Sequence, residues 1–510
     1  MRRVMNTNGM RRKVAIIGRG LGGLSCGYIL QRNGFDVTIY EKNPVLGGCL
    51  QCFRRKGAVF ETGMHFIGSA APGQAMDKMM RYLGLASDVR LSQLNPSAYD
   101  TVSLGGQRFE FPNGNEQFIE KMSSYFPHEK DAIARYYDIV NKIASASTLH
   151  SLTSESRDVA IDTEYQQRSM NDVMDELFND TLLKNVLVGN LPLYSAELNK
   201  TPFSQHAFIM DFYNQSAFRV EGGSDAIAKS LVKSIERLGG QVITSAKVQR
   251  IVCDATHAIG VETIDEQLHT VDYVISTVHP ARTVEMLEDT NLIRPAFRSR
   301  IKSLPQTSGC FAVYVKFKDG FMPYMNTNYY GYRGDTPWNC EHYTVSDWPK
   351  GFLYMHMCHE DKAKWAKSGV ILSYMNMEDV TPWVGTHVGK RGDDYEAFKT
   401  QHAERILDEV ETHFPGLRAA IDSYYTSTPL TYIDYTGTEG GSMYGVAKDI
   451  TMGAAGRVPY RTKIPNVLLA GQNVNSHGML GVLVGTIVTC SELVPSDIIY
   501  RQISNQFINE

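Results

Sequence analysis

Apolar residues in this chain form short unbroken runs in some places and helix-spaced stripes in others. Val14 to Ile17 is a run of β-branched and small residues, the pattern of a strand buried on both faces. The uncharged stretch 21–30 predicts a buried helix, and 36–40 a second strand. From Gly73 to about Tyr213 the spacing is mostly helical, with helices over 116–125, 131–146 and 170–188. A hairpin interrupts it, where 102–104 and 108–111 flank Gly105-Gly106. The next helix opens at Glu221-Gly-Gly-Ser-Asp225, with Ser224 or Asp225 as its cap, and sets Ile227, Leu231 and Ile235 on one face. Strands are predicted over 241–244, 247–252 and 271–276, then over 310–317, 352–357 and 370–375. An amphipathic helix covers 395–414. A last strand (467–470), a Gly471-Gln-Asn turn and a buried helix over 478–493 close the chain.

This order predicts an α/β fold. A Rossmann-type dinucleotide-binding domain is discontinuous over residues 1–75, 215–305 and 440–510. A domain of mixed sheet and helices is inserted over 76–214 and 306–439. No internal repeat or low-complexity segment is present.

The first strand runs into Gly18-Arg-Gly20-Leu-Gly-Gly23. Gly18 permits the tight turn, Gly20 lets backbone approach a pyrophosphate, and Gly23 lets the helix pack close to the strand. The helix start offers unpaired N–H groups to phosphate oxygens. Glu41 ends the second strand about twenty residues on, where an acid accepts from ribose hydroxyls. The last strand, turn and helix repeat this logic, with Gly471, Gly478 and Gly481 as the permissive positions. A second strand-linked G-x-G-x-x-G is missing from the middle of the chain.

Three further features invite chemistry. Cys49-x-x-Cys52 follows the glycine pair Gly47-Gly48 and reads either as a redox dithiol or, preferably, as two small residues packed near a ligand. His356-Met-Cys-His359 lies on a predicted strand whose alternation separates the histidines, which argues against a metal site. The aromatic stretch 324–348 suits either an ordinary sheet with a long loop or the lid of a tunnel for an apolar ligand.

Composition narrows the classes. A net charge of -4 gives no reason to expect nucleic acid as a partner. Eight scattered cysteines do not form a disulfide framework, so a reducing compartment is expected. Met1-Arg-Arg with Arg11-Arg-Lys13 imitates a signal peptide, but the apolar part that follows is a strand, turn and helix. Met10 is then a natural start, with the residues before it an extension. The longest uncharged segment, 464–491, holds a proline, asparagines and His477 and is a poor membrane span.

Taken together, Gly18-x-Gly20-x-x-Gly23, Glu41, Gly47-Gly48, Phe60-Glu-Thr-Gly-Met-His-Phe-Ile-Gly68, Glu221-Gly-Gly, the 271–280 segment and Leu469-Ala-Gly-Gln with His477-Gly-Met-Leu-Gly481 resemble one family. It is the FAD-dependent phytoene desaturase and carotenoid isomerase family, in its retinol-saturase-like branch. The resemblance implies that Gly18, Gly20, Leu21, Gly22 and Gly23 meet the pyrophosphate, and Glu41 and Lys42 the adenosine. It places Gly47 and Gly48 by the ribityl and phosphate region, and Val248 at the adenine. Gly471 and Gln472 fall at the ribityl chain, and Met479, Leu480 and Gly481 at the flavin ring. Val45 and Leu46 stand where many relatives carry an arginine.

The implied activity is a flavin-dependent oxidoreductase acting on carbon–carbon bonds of an isoprenoid or polyene lipid, with saturation favoured and NAD(P)H a candidate electron donor. His65 is the one catalytic candidate. Redox-neutral cis/trans isomerisation, amine oxidation and non-catalytic binding of FAD or lipid remain as alternatives. An apolar substrate implies delivery from a membrane, so a soluble, cytoplasmic protein with peripheral membrane contact is expected.

Overall fold

The computed structural model describes residues 5, 9–147, 152, 164–287, 290–474 and 476–505. Most of the extension read before Met10 lies outside them.

The strand β1 (Lys13–Ile17) forms the middle of a five-stranded sheet, and four of its five residues are buried. The order is β10 (Gln241–Ile243), β2 (Asp36–Tyr40), β1, β14 (Tyr273–Ser276) and β20 (Val467–Leu469), every pair parallel. Strands from three distant parts of the chain thus make one sheet. The chain leaves β1 towards β2 on one side and adds β14 and β20 on the other. A crevice therefore opens beyond the carboxyl end of β1, where ligands of doubly wound sheets bind. The helix Leu21–Arg32 has eleven of its twelve residues buried. It packs between the helices Asp225–Arg237 and Gly478–Cys490 in a shared apolar core.

A second sheet has seven strands. Their order is β19 (Ile421–Ser427), β15 (Gly309–Phe317), β18 (Ser368–Met375), β17 (Gly351–His356), β16 (Asn328–Tyr332), β7 (Asp100–Leu104) and β8 (Gln107–Phe111). The predicted hairpin β7–β8 joins this sheet through a parallel pairing, with Tyr330 opposite Val102. Alternation splits the strands β15 to β18 between two cores. Tyr314, Tyr332, Leu353, Met355 and Tyr374 face one, while Val315, Tyr329, Phe352 and Ile371 face the other with the helix Asp393–His413.

Smaller pieces complete the site. The hairpin β3 (Cys52–Arg55) and β4 (Ala58–Glu61) follows β2. The strands β5 (Ile67–Gly68), β9 (Ala217–Val220) and β6 (Leu91–Gln93) form a sheet that the hydrophobic pattern does not predict. An antiparallel sheet of β11 (Val248–Cys253), β12 (Ala258–Thr263) and β13 (Leu268–Thr270) leans on β14.

Two expectations are corrected, and a third is resolved between its two readings. The helix expected over 170–188 is two helices, Met170–Leu177 and Thr181–Leu187. The Asp180 carboxylate caps the second by accepting from the Leu183 amide at 2.9 Å, while Glu129 accepts from the Asn179 and Asp180 amides at 2.8 Å. Ser224 occupies the cap position of Asp225–Arg237 without a side-chain cap bond. The Asp225 carboxylate is committed instead to Arg54 and Lys229. Much of the aromatic stretch is ordinary sheet core: Tyr329 and Tyr330 are buried in β16, and the Trp348 indole donates to the Tyr374 carbonyl at 2.7 Å.

Candidate functional site

The turn after β1 is built by close approach. A Cβ on Gly23 would lie 2.0 Å from the Gly18 carbonyl oxygen, so no side chain fits there. A Cβ on Gly22 would lie 3.1 Å from the Gly471 Cα, so the N-terminal and C-terminal turns touch each other directly. Gly48 packs as closely, 3.2 Å from the Gly20 Cα by the same measure. Gly20 differs: nothing stands within 4 Å of the place where its Cβ would be. The Glu41 carboxylate is oriented by the Arg19 and Asn43 amides, which donate to its two oxygens at 3.0 and 2.8 Å.

These turns bound one cavity of about 740 Å³. Its wall includes Gly18, Gly20, Leu21, Gly22, Glu41, Lys42, Gly47, Gly48, His65, Val248, Gly471, Gln472 and Met479, residues separated by more than four hundred positions in sequence. Gly23, Leu480 and Gly481 stand behind the wall. Gly23 serves the turn itself, Leu480 is buried in the core beside the helix Leu21–Arg32, and Gly481 packs on Ser476. Lys42 lies at the mouth and donates to the Asp434 carbonyl at 3.2 Å. Burial lowers its pKa, opposed by Glu41 and assisted by Lys247 and Arg282.

From the glycine turns the cavity continues along the seven-stranded sheet. Tyr332, Leu353, Met355, Leu372 and Tyr374 line it there, opposite Phe66, Tyr213 and Leu193. Among the described lining residues this half contains no carboxylate. Apart from Tyr332, which falls in the aromatic stretch offered as a tunnel lining, these residues were not read from the sequence, although alternation along β16, β17 and β18 marks which of them share a face. Sequence reasoning also missed Arg19, which is 4 % exposed and lines the cavity, and whose Nε has no hydrogen-bond partner among the described residues.

His65 is on the wall and 8 % exposed, with Nδ1 3.8 Å from a Glu61 carboxylate oxygen. Cys49 also lines the cavity, but burial pushes its thiol up to about 11 and that of Cys52 up to about 12. Neither is a thiolate at neutral pH, which favours the packing reading. Both nitrogens of His356 are engaged, Nδ1 with the Met325 amide at 2.9 Å and Nε2 with the Tyr354 hydroxyl at 2.6 Å. Among the described residues no group of three or more His, Cys, Asp and Glu is assembled to hold a metal.

The arrangement fits a dinucleotide flavin. Gly20 leaves room for a diphosphate, Arg19 brings a buried cation with an unused donor, and Glu41 retains acceptor capacity at the end of β2. Over 96% of its length the chain is 26% identical to the human protein "All-trans-retinol 13,14-reductase", covering 87% of that protein. It is 24% identical to the "Phytoene desaturase (lycopene-forming)" of a Paracoccus species, over 97% of this chain and 99% of the other. An oxidoreductase from Methanosarcina mazei has the same fold, with a TM-score of 0.63 at 16% identity over 94% of this chain and all of that one. The family model for flavin-containing amine oxidoreductases matches residues 21–484. With a match over nearly the whole chain and two glycine turns meeting at one cleft, this protein belongs to the flavin-containing amine oxidoreductase family.

Proposed function

We propose that the protein is a flavin-dependent oxidoreductase that saturates a carbon–carbon double bond of a retinoid or carotenoid-like polyene. The observation that carries this reading is the sheet half of the cavity, long, apolar and free of carboxylates among its described lining residues. A cationic amine would find no acid there and only aromatic faces for its charge, whereas a polyene is matched by the apolar wall as it stands. The names of the curated relatives agree with such a substrate.

FAD, when bound, supplies hydride transfer. The chain's own part is to bind, orient and exclude water. Gly18 to Gly22, Arg19, Gly47 and Gly48 would hold the diphosphate, with Glu41, Lys42 and Val248 at the adenosine. Gly471, Gln472 and Met479 would hold the ribityl and ring end. Tyr332, Met355 and Tyr374 would align the polyene against it, since orientation at the reacting carbons is the larger part of such catalysis. In this reading residues 76–214 and 306–439 form the substrate-binding half, in keeping with their shared seven-stranded sheet. NAD(P)H serves as the source of electrons.

Among the described residues no helix is long and apolar enough to cross a membrane. We infer a cytoplasmic protein that collects its substrate by peripheral contact with a bilayer. Vesicle flotation tests this point, and complete exclusion from vesicles argues against it.

The decisive assay is anaerobic. FAD-loaded protein reduced with dithionite and mixed with all-trans-retinol should give a product heavier by two hydrogens, with a shortened polyene absorbance. In a parallel aerobic assay with oxidised FAD, peroxide release from amines with untouched polyenes would replace the reading with amine oxidation. A product of unchanged mass would replace it with isomerisation.

A further inference from the structure

Arg219 on β9 is among the largest fully buried side chains of the molecule, yet no carboxylate is hydrogen-bonded to it among the described residues. Its guanidinium donates to the His65 carbonyl at 3.2 Å, to the Thr327 carbonyl at 3.2 Å and to the Asn328 side-chain oxygen at 2.8 Å. The Asn328 amide donates in turn to Asp100 at 2.7 Å. A buried cation bonded mainly to neutral acceptors is costly. What it accomplishes is to tie the segment carrying His65 to β16 and β7 of the substrate sheet.

The buried thiols and phenols that face the sheet half of the cavity are held protonated. Burial pushes Cys49 up to about 11 and Cys310 up to about 12, and it raises Tyr213, Tyr332, Tyr374, Tyr432 and Tyr444 further. His279, the other lining imidazole, uses both nitrogens, one with Gln306 at 3.0 Å and one with the Ala281 amide at 3.3 Å. His65 keeps Nδ1 without a hydrogen bond among the described residues, 3.8 Å from the buried Glu61 carboxylate.

We propose that His65, paired with Glu61, is the proton-holding group of this cavity, and that Arg219 is a positioning residue fixing where its imidazole stands. The groups around it are Glu61 at the end of β4, Arg219 from β9 and, packed on the neighbouring Phe66, the Tyr213 ring. Asp100 connects only through Asn328. The use of the proton rests on the polyene reading above. Saturation adds a flavin-derived hydride to one carbon and a proton to its neighbour. That proton leaves the His65 imidazolium, which becomes neutral imidazole and is recharged from water.

The test is histidine-labelled NMR of the FAD-loaded full chain from about pH 5 to about pH 9. The His65 signal is identified by its loss in His65→Gln. Glu61→Gln should shift the His65 ring signals at constant pH; unmoved signals overturn the pairing. Arg219→Met should shift or split the signal while FAD absorbance stays, and Arg219→Lys should restore it. An unchanged signal in Arg219→Met overturns the positioning role. Should Arg219→Met fail to hold FAD, Asn328→Ala replaces it with the same two outcomes. With reduced FAD and all-trans-retinol, His65→Gln should lose at least about tenfold in turnover and its dependence on pH. Undiminished turnover overturns the proposal. A wild-type protein inert to the polyene sinks the substrate reading alone, because the NMR arm still decides the pair.

Discussion

Replacing Gly20 with alanine separates the ligand's needs from those of the fold. Gly20 has φ -77° and ψ -176°, extended backbone that alanine adopts without strain. Its added methyl would meet no protein atom within 4 Å. The folded protein therefore loses nothing in packing. A poorer helix cap costs about 0.5–1 kcal/mol, and a stiffer unfolded chain returns about 0.4–1 kcal/mol. The apo protein should unfold within about 1 kcal/mol of wild type. The open space is where the diphosphate must approach the backbone, and a methyl there displaces at least one charge-assisted hydrogen bond. That is worth about 1.5–3 kcal/mol, or about 10- to 150-fold in affinity. Titrating apo protein with FAD by flavin fluorescence, beside thermal unfolding of both apo forms, measures the two quantities separately. Wild-type FAD affinity in Gly20→Ala would refute the placement of the diphosphate at this turn.

Other expectations follow from the same geometry. Gly23→Ala drives a methyl to 2.0 Å from the Gly18 carbonyl, so apo stability itself should fall by more than about 2 kcal/mol in chemical denaturation. Met355→Glu places a carboxylate on the apolar wall; FAD binding should persist while polyene binding, followed by absorbance, drops at least about tenfold. With Cys49 and Cys52 both held as thiols, the double serine variant should keep its flavin turnover, and a dead but FAD-loaded variant would revive the dithiol. Burial holds Asp100 up at about 7, against the pull of Asn328 and Arg219. The unfolded chain releases this proton at lower pH, so folding stability should decline from about pH 4 towards about pH 7. Asp100→Asn should flatten that decline in thermal unfolding scans.

Local signals carried far in this chain. The run Val14 to Ile17, the glycines behind it and Glu41 report a strand, turn and helix whose chemistry depends on neighbours in sequence, and the structure returns them at the expected positions. The contact between Gly22 and Gly471 was legible only as two similar turns at opposite ends. What stayed hidden depends on distant partners. The break after Leu177 needs Glu129 from another helix. The strand β5 is two residues long, too short for any period. Arg19 and Arg219 look like surface residues in sequence, and only the fold buries them. The aromatic stretch divided its side chains between sheet core and cavity by alternation, which a count of aromatics could not reveal.

The central claim is that turns four hundred and fifty residues apart close over a single dinucleotide. Hydrogen-exchange mass spectrometry of the apo and FAD-loaded protein tests it most directly. FAD should slow exchange together at 18–24, 47–50 and 471–482. Protection confined to the N-terminal turn, with 471–482 exchanging as in the apo protein, would contradict it.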